Sequence, residues 1–246
     1  MASILDGHPG SPAPPAAVPA SHNAVLARLD HTTRERLLPH LSAVPLKFGE
    51  RLAAAEQPLT YAYFPERGAV SLVANLSDGN TLEVGMIGSE GVVGANAVLG
   101  IDWMPCSVIV QVPGLALAIR IHVLQQEAAR SRPLHDVLSH HVQLELASAM
   151  QTAVCNNFHP VESRCARWLL QMHDMVGSHL EVSQEFLAQM LGVRRPTVTL
   201  LLGSFERAGV VACGRRRIEI LDRRHLEEIV CECYAALKQS QHRLEV

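Results

Sequence analysis

The feature that most constrains the fold of this chain is a long run without glycine or proline, from Leu134 to Asn157. As a helix it would span about 36 Å at about 1.5 Å per residue, well beyond the average helix of about 11–12 residues. Two apolar lines follow helical spacing: Leu134, Val137, Leu138, His141 and Leu144, then Val142, Leu146, Ala149 and Ala153. Two such lines favour a helix that packs on its own domain and on a second copy of the chain, although a long core helix in a monomer has the same pattern.

The sequence before this helix has a pattern typical of β-strands. Short apolar runs alternate with turn residues from Val44 to Ile119, and Asp78-Gly79 between two alternating segments is typical of a β-hairpin. Pro113-Gly114 is expected to separate two later strands. Many short strands at this spacing predict a barrel or jelly roll.

The stretch from Val182 to Val211 has the pattern of two helices joined by a glycine turn. Ser183 is expected to cap the first helix, and Gly192 to end it, because a tight turn favours a residue that tolerates φ > 0. The second helix is expected from about Arg195 to Ala208. Its inward-facing side chains are Val198, Leu201, Leu202 and Phe205, which leaves Arg195, Thr199 and Leu200 facing outward. This is the helix-turn-helix pattern, whose second helix enters the DNA major groove.

A basic wing is expected after the second helix. Val210-Val211 and Ile218–Leu221 read as two short strands, joined by a turn that contains Arg215, Arg216 and Arg217. The whole chain has a net charge of −3, but residues 194–224 hold eight arginines against three acidic residues, a local net charge of +5. A basic module on an acidic body suits a polyanion partner at one end. The pattern alone also fits an ordinary helical hairpin with solvated arginines.

The sequence resembles the cAMP receptor protein/FNR (Crp/Fnr) family of bacterial regulators over about residues 25–235. The resemblance is carried by QEFLAQMLGVRRPTVTLLLGSFERAGVV and by YFPERGAVSLV…DGNTLEVGMIGSEGVVG, the second being similar to a glycine-rich cyclic-nucleotide-binding β-roll. It implies an N-terminal effector domain, a long dimer helix and a C-terminal winged helix. It also places Arg195 at a base-contacting position, with Pro196 and Leu200 where well-known members have polar or charged readers.

The cyclic-nucleotide cassette departs from that family pattern. Members that bind cAMP carry a Gly-Glu pair and an Arg-Ser/Thr-Ala run, whereas this chain has Gly94-Ala95 and roughly Met104-Pro105-Cys106. Burying a cyclic phosphate without a cation is costly, so cAMP is not expected to be the effector. The effector pocket is assigned to Gly91, Gly94, Ala95, Cys106 and Ser107. No cofactor is assigned.

The cysteines and histidines suggest further chemistry only weakly. Cys155 and His159 stand at positions i and i+4, with Cys165 nearby, and are candidates for a metal or redox site. Structural zinc spacings are absent, so a small core residue and a surface histidine are favoured. Cys231 and Cys233 would point apart on a helix and are interpreted as buried, inert thiols. Histidines at 135, 140 and 141 are interpreted as solvated, with a pH or metal switch as the alternative. No metal ligand is assigned.

Other classes of protein are disfavoured. The sequence has no GxSxG, P-loop or HExxH motif, so no catalytic residue is assigned and an enzyme is not expected. There is neither a secretory signal nor an apolar run of membrane-spanning length, and the scattered cysteines suit reduced thiols in the cytoplasm.

The expected fold class is α+β. The expected divisions are a disordered tail (1–22), a β-roll effector domain (23–132), a dimerisation helix (133–158), a winged helix-turn-helix (159–235) and a tail (236–246). DNA contacts are assigned to Arg194, Arg195, Thr197, Thr199, Leu200, Arg215, Arg216 and Arg217. The expected function is that of a homodimeric transcription regulator. Its partners would be double-stranded DNA with a palindromic operator and RNA polymerase, with no membrane. The alternative is a small-molecule-binding module whose winged helix contacts protein.

Overall fold

The computed structural model describes residues 21–245. The expected N-terminal tail therefore lies outside the described residues except at its end. There the backbone N–H of His22 donates to Glu66 Oε2 at 2.6 Å. Among residues 21–245, no helix is both long and apolar enough to cross a membrane.

The helices are α1 (Ala24–Ala27), α2 (His31–Leu37), α3 (Ile121–Arg130), α4 (Arg132–Phe158), α5 (Val161–Val176), α6 (Gln184–Leu191), α7 (Arg195–Arg207), α8 (Arg223–Ile229) and α9 (Cys233–Glu245). The strands are β1 (Ser42–Leu46), β2 (Arg51–Ala53), β3 (Tyr61–Asn75), β4 (Thr81–Ile87), β5 (Ser107–Arg120), β6 (His179–Leu180), β7 (Val211–Gly214) and β8 (Arg217–Ile220).

The chain divides into two compact units. One comprises the described residues up to Leu72 together with Met86–Gln143, and the other comprises Val73–Gly85 together with the chain from Leu144 onward.

The first unit is built around β5. This strand lies in a sheet of order β1-β5-β3-β4, with β2 also paired to β5. β1 and β2 pair antiparallel with different parts of β5, β1 opposite residues 114–118 and β2 opposite residues 108–109. Since a strand has only two hydrogen-bonding edges and β3 takes one, β1 and β2 share the other.

The expectation of two strands around Pro113-Gly114 is wrong, because β5 runs unbroken through both residues. A Cβ on Gly114 would lie 2.0 Å from the carbonyl oxygen of Arg67, and one on Gly68 would lie 2.5 Å from that of Val112. Gly68 and Gly114 therefore allow the paired strands β3 and β5 to approach closely, and they do not end the strands. The hairpin prediction is correct: Gly79 adopts φ 86° in the turn between β3 and β4.

The predicted long helix is present as α4, within one residue of the expected start. Leu134, Leu138 and His141 of its first apolar line are buried, and Val137 and Leu144 are partly exposed. The line therefore packs into the core at its N-terminal half, as helical spacing predicts.

The second unit contains the C-terminal helices and a small sheet of order β6-β8-β7. Its core is formed by Trp168, Leu169 and Leu170 of α5 with the buried faces of α6 and α7. Two side chains cap its helices: Ser183 accepts from the N–H of Phe186 at 3.1 Å, and Asp222 from that of His225 at 3.0 Å. Each cap satisfies a donor that the first helical turn leaves without a backbone partner.

Candidate nucleic-acid interface

A tight turn places α7 at an angle to α6. Gly192 adopts the left-handed conformation with φ 63° at the end of α6, and the N–H of Val193 donates to the carbonyl of Ala188 at 2.9 Å. α7 begins at Arg195, two residues after Val193, and has Pro196 in its first turn. A non-glycine residue at 192 would be strained, so this turn sets where α7 starts.

Burial on one side of α7 determines which side chains reach solvent. Four apolar residues at helical spacing are buried: Val198, Leu201, Leu202 and Phe205. Among the predicted DNA contacts, Arg194, Arg195, Thr199 and Leu200 are exposed, whereas Thr197 is only partly exposed. Leu200 is 76% exposed, which is unusual for a large apolar side chain and leaves it available to a partner.

Side chains from the first turn of α6 contact this exposed face. The hydroxyl of Thr199 lies 2.8 Å from Gln184 Oε1 and 3.2 Å from the carbonyl oxygen of Arg195. Arg195 Nε lies 3.9 Å from Glu185 Oε2, with both side chains well exposed. Sequence reasoning did not identify Gln184 or Glu185 as part of the site, because their proximity to α7 depends on the angle of the turn.

The wing is a two-stranded hairpin whose tip is basic. β7 and β8 pair from Val211–Ile220 to Gly214–Arg217, so Arg215 and Arg216 form the turn. Arg216 has φ 58°, a conformation uncommon for residues other than glycine, asparagine and aspartate. Arg215, Arg216 and Arg217 are all exposed. The tip of the wing, formed by the turn and the first residue of β8, therefore presents three cations to solvent.

Two acidic residues contact the strands of the wing. Glu206 at the end of α7 accepts a hydrogen bond from the N–H of Cys213 at 3.0 Å, which ties β7 to α7. Glu219 lies 3.7 Å from Arg217 and 3.4 Å from His179, across the small sheet.

A denser polar network joins α5, α8 and α9. Arg223 donates to Asp174 and Tyr234, each at 2.8 Å, while Tyr234 and Lys238 also donate to Asp174. Burial tends to raise the pKa of Asp174, but hydrogen bonds from Tyr234, Arg223 and Lys238 outweigh it and lower that pKa. Burial and the bond to Asp174 raise the pKa of Tyr234 to about 12. The network therefore connects α8 and α9 to α5 through Asp174.

The residues assigned to an effector pocket lie in the core of the first unit. Ala95, Cys106 and Ser107 are buried, and Gly94 begins a 3₁₀ turn at φ 87° with the side chain of Ala62 against it. Gly91 is close to His141, since a Cβ on Gly91 would lie 2.3 Å from His141 Cε1. All five residues thus belong to packed parts of the β-roll.

The structure brings together some of the cysteines. Cys231 and Cys233 are not on one helix, because Cys231 precedes α9 and Cys233 is its first residue. The prediction that Cys231 and Cys233 point apart on one helix is therefore wrong, and both lie beside Cys155 and His159. Cys165 is not part of this group, and burial raises the pKa of its thiol to about 12.

Two family models match the chain. One, described as a Crp-like helix-turn-helix domain, covers residues 163–229, and the other, a cyclic nucleotide-binding domain, covers residues 43–131. No curated protein matches the sequence significantly.

Several solved structures share this fold. FixK2 from Bradyrhizobium japonicum has a TM-score of 0.66 at 18% identity, over 78% of this chain and 98% of its own. CLP, a c-di-GMP-responsive global regulator of Xanthomonas campestris, has a TM-score of 0.64 at 20% identity, over 78% and 100%. A crp/fnr-family regulator from Eubacterium rectale has a TM-score of 0.66 at 17% identity, over 83% and 96%. The predicted order of β-roll, long helix and winged helix-turn-helix is confirmed.

Proposed function

The chain belongs to the Crp/Fnr family of transcription regulators, and we propose that it is a homodimeric DNA-binding regulator controlled by an effector other than cAMP. It would read a palindromic operator in the cytoplasm, and RNA polymerase would be a further partner. Catalysis forms no part of the proposed function.

The exposed N-terminal face of α7 carries this proposal. Arg194, Arg195 and Thr199 are exposed at the N-terminal end of α7, the end that would approach base edges in a recognition helix, while the opposite face of the helix is buried. Arg195 would bond two acceptors on guanine, and Leu200 would contact a thymine methyl group. The three wing arginines would contact phosphates, which position a protein on DNA without reading sequence.

An apolar stripe on α4 supports the homodimer. Leu146, Met150, Val154 and Phe158 follow each other at four-residue steps and are all exposed, by 46–74%. Such a line of large apolar side chains is what a helix–helix interface between two copies would bury. Two recognition helices related by that symmetry would meet half-sites about 34 Å apart.

The buried cassette supports an effector other than cAMP. Ala95 and Met104 are 1% and 3% exposed and carry no charge, so they offer neither a carboxylate for a ribose nor a cation for a cyclic phosphate. Titration with cAMP is expected to show no binding at physiological concentration. Micromolar affinity would contradict this part of the proposal.

Selection of bound sequences from a random DNA pool, with and without metabolites from cell extract, tests the function. The expected result is an inverted repeat whose binding weakens steeply as salt rises, because each phosphate contact releases counterions. If no sequence were enriched and binding to DNA were weak at all salt concentrations, a winged helix that contacts protein would be the better interpretation.

A further inference from the structure

Three cysteines and a histidine of the second unit meet at one point. Cys155 and His159 stand four residues apart at the C-terminal end of α4, and Cys231 and Cys233 lie at the junction of α8 and α9. Each offers one ligand atom, and all four atoms lie within 4.8 Å of one another. The cysteines are 0%, 8% and 0% exposed, so the cluster is largely closed to solvent.

The distances in the cluster suit a shared ion. Cys155 Sγ and Cys231 Sγ are 3.6 Å apart, and Cys233 Sγ lies 3.4 Å from His159 Nδ1. A tetrahedral ion with metal–sulfur bonds of about 2.3 Å and metal–nitrogen bonds of about 2.0–2.1 Å would separate two sulfurs by ~3.8 Å and a sulfur from a nitrogen by ~3.6 Å. The sulfurs are too far apart for a disulfide, whose S–S bond is about 2.05 Å.

The groups around the cluster are those that orient metal ligands. His159 Nε2, the nitrogen turned away from the cluster, lies 3.3 Å from Glu232 Oε1. A carboxylate in that place fixes the histidine tautomer so that the other ring nitrogen is free to bind a metal. Gln151 Nε2 donates to Cys233 Sγ at 3.0 Å, a bond that stabilises a thiolate.

A buried cation stands beside the cluster. Arg167 is 7% exposed and interacts electrostatically with Cys155. One of its amino groups donates to Thr152 Oγ1 at 3.3 Å, while its Nε has no hydrogen-bond partner among residues 21–245. Burying a guanidinium is costly unless a negative charge compensates it. A divalent ion with three thiolates and a neutral imidazole carries a net charge of −1 and would supply that compensation.

We propose that Cys155, His159, Cys231 and Cys233 bind one Zn²⁺ ion as a closed, structural site. Three sulfurs and one imidazole nitrogen are a ligand set typical of structural zinc, and four protein ligands leave no open coordination position for catalysis. The three thiols would release their protons to solvent on binding, with no change of oxidation state. The ion would link the end of α4 to the start of α9. These two segments flank the helix-turn-helix in the sequence.

Metal analysis of the full-length protein, purified without chelator, tests the proposal. We expect one zinc ion per chain, and Co²⁺ substitution should give the intense visible bands of a tetrahedral thiolate site. Cys233→Ser should lose most of the zinc. Cys213→Ser, which removes a thiol outside the cluster, should retain all of it. Glu232→Ala should bind zinc about 10–100-fold more weakly through loss of the histidine contact.

His159→Cys keeps the proposal testable even if Cys233→Ser does not fold. It preserves four ligands and should retain one zinc ion, whereas His159→Ala should not. A wild-type protein without zinc that also gave no tetrahedral Co²⁺ spectrum would overturn the proposal. So would a Cys155–Cys231 disulfide in protein purified under reducing conditions, or zinc content unaffected by either Cys233→Ser or His159→Ala.

Discussion

His141 Nε2 accepts a hydrogen bond from the backbone N–H of Val92 at 3.1 Å. The ring is 7% exposed, so the interpretation of His141 as a solvated helix residue is wrong. An accepting Nε2 places the proton of the neutral imidazole on Nδ1. The same ring lies directly over Gly91, which explains why that position carries no side chain.

Replacing Gly91 with alanine should destabilise the protein by about 1–3 kcal/mol, because the new Cβ would lie 2.3 Å from His141 Cε1. Chemical denaturation measures this change. In a His141→Ala background the ring is gone, and adding Gly91→Ala should then cost much less than it does in the wild type. Equal costs in both backgrounds would show that the two positions are independent.

Arg195 and the wing arginines should differ in what they contribute to DNA binding. Arg195→Ala should cost about 1–3 kcal/mol on the preferred operator and relax the preference at one base position. Arg215→Ala should weaken binding to all sequences about equally and lower the salt slope by about one. Binding series over salt, on the preferred and a scrambled site, distinguish the two. An equal loss for Arg195→Ala on both sites would make Arg195 a phosphate contact.

Arg216 should trade stability for DNA affinity. Its φ of 58° is unstrained only for glycine and a few polar residues, so Arg216→Gly should leave the free energy of unfolding unchanged or raise it by up to about 1 kcal/mol. Arg216→Ala should be less stable than Arg216→Gly. Both variants lose the guanidinium and should bind DNA more weakly to a similar extent. Wild-type affinity in Arg216→Gly would exclude a phosphate contact there.

Asp174 should make the second unit sensitive to acid. Hydrogen bonds lower its pKa below 3.8 in the folded state, so its stabilising effect is present above that value and is lost as the pH falls through the folded pKa. Asp174→Asn should cost about 1.5–3 kcal/mol near neutral pH, and the difference from wild type should shrink in acid. Urea unfolding across pH measures it. Glu228→Gln, in an exposed ion pair with Arg224, is the control and should change stability by no more than about 1 kcal/mol.

The α4 stripe should decide the oligomeric state. Met150 is 61% exposed at its centre, and Met150→Glu would place a charge in the proposed dimer interface. We expect a monomer in light scattering, with affinity for a two-half-site operator reduced about 100-fold or more because the two sites no longer bind together. Met150→Leu preserves the apolar surface and should remain a dimer. A dimeric Met150→Glu protein would place the interface elsewhere.

The sequence by itself determined the elements whose signals are local. The absence of glycine and proline from 134 to 157 predicted α4, and Ser183, Gly192 and the spacing of Val198 to Phe205 predicted the two helices and which face of α7 is buried. These follow from neighbours within one or two helical turns, so periodicity and capping rules suffice.

Only the tertiary structure decided contacts between residues that are distant in sequence. Cys155 and Cys231 are 76 positions apart, and their approach depends on how α5 and α8 pack between them. His141 and Gly91 likewise meet only through the packing of the first unit, and the close pairing of β3 with β5 makes Gly114, an apparent strand breaker, a point of close approach to Arg67. The type of a residue indicates which local conformation and degree of burial it favours. Which residue it contacts is determined by the packing of the whole unit.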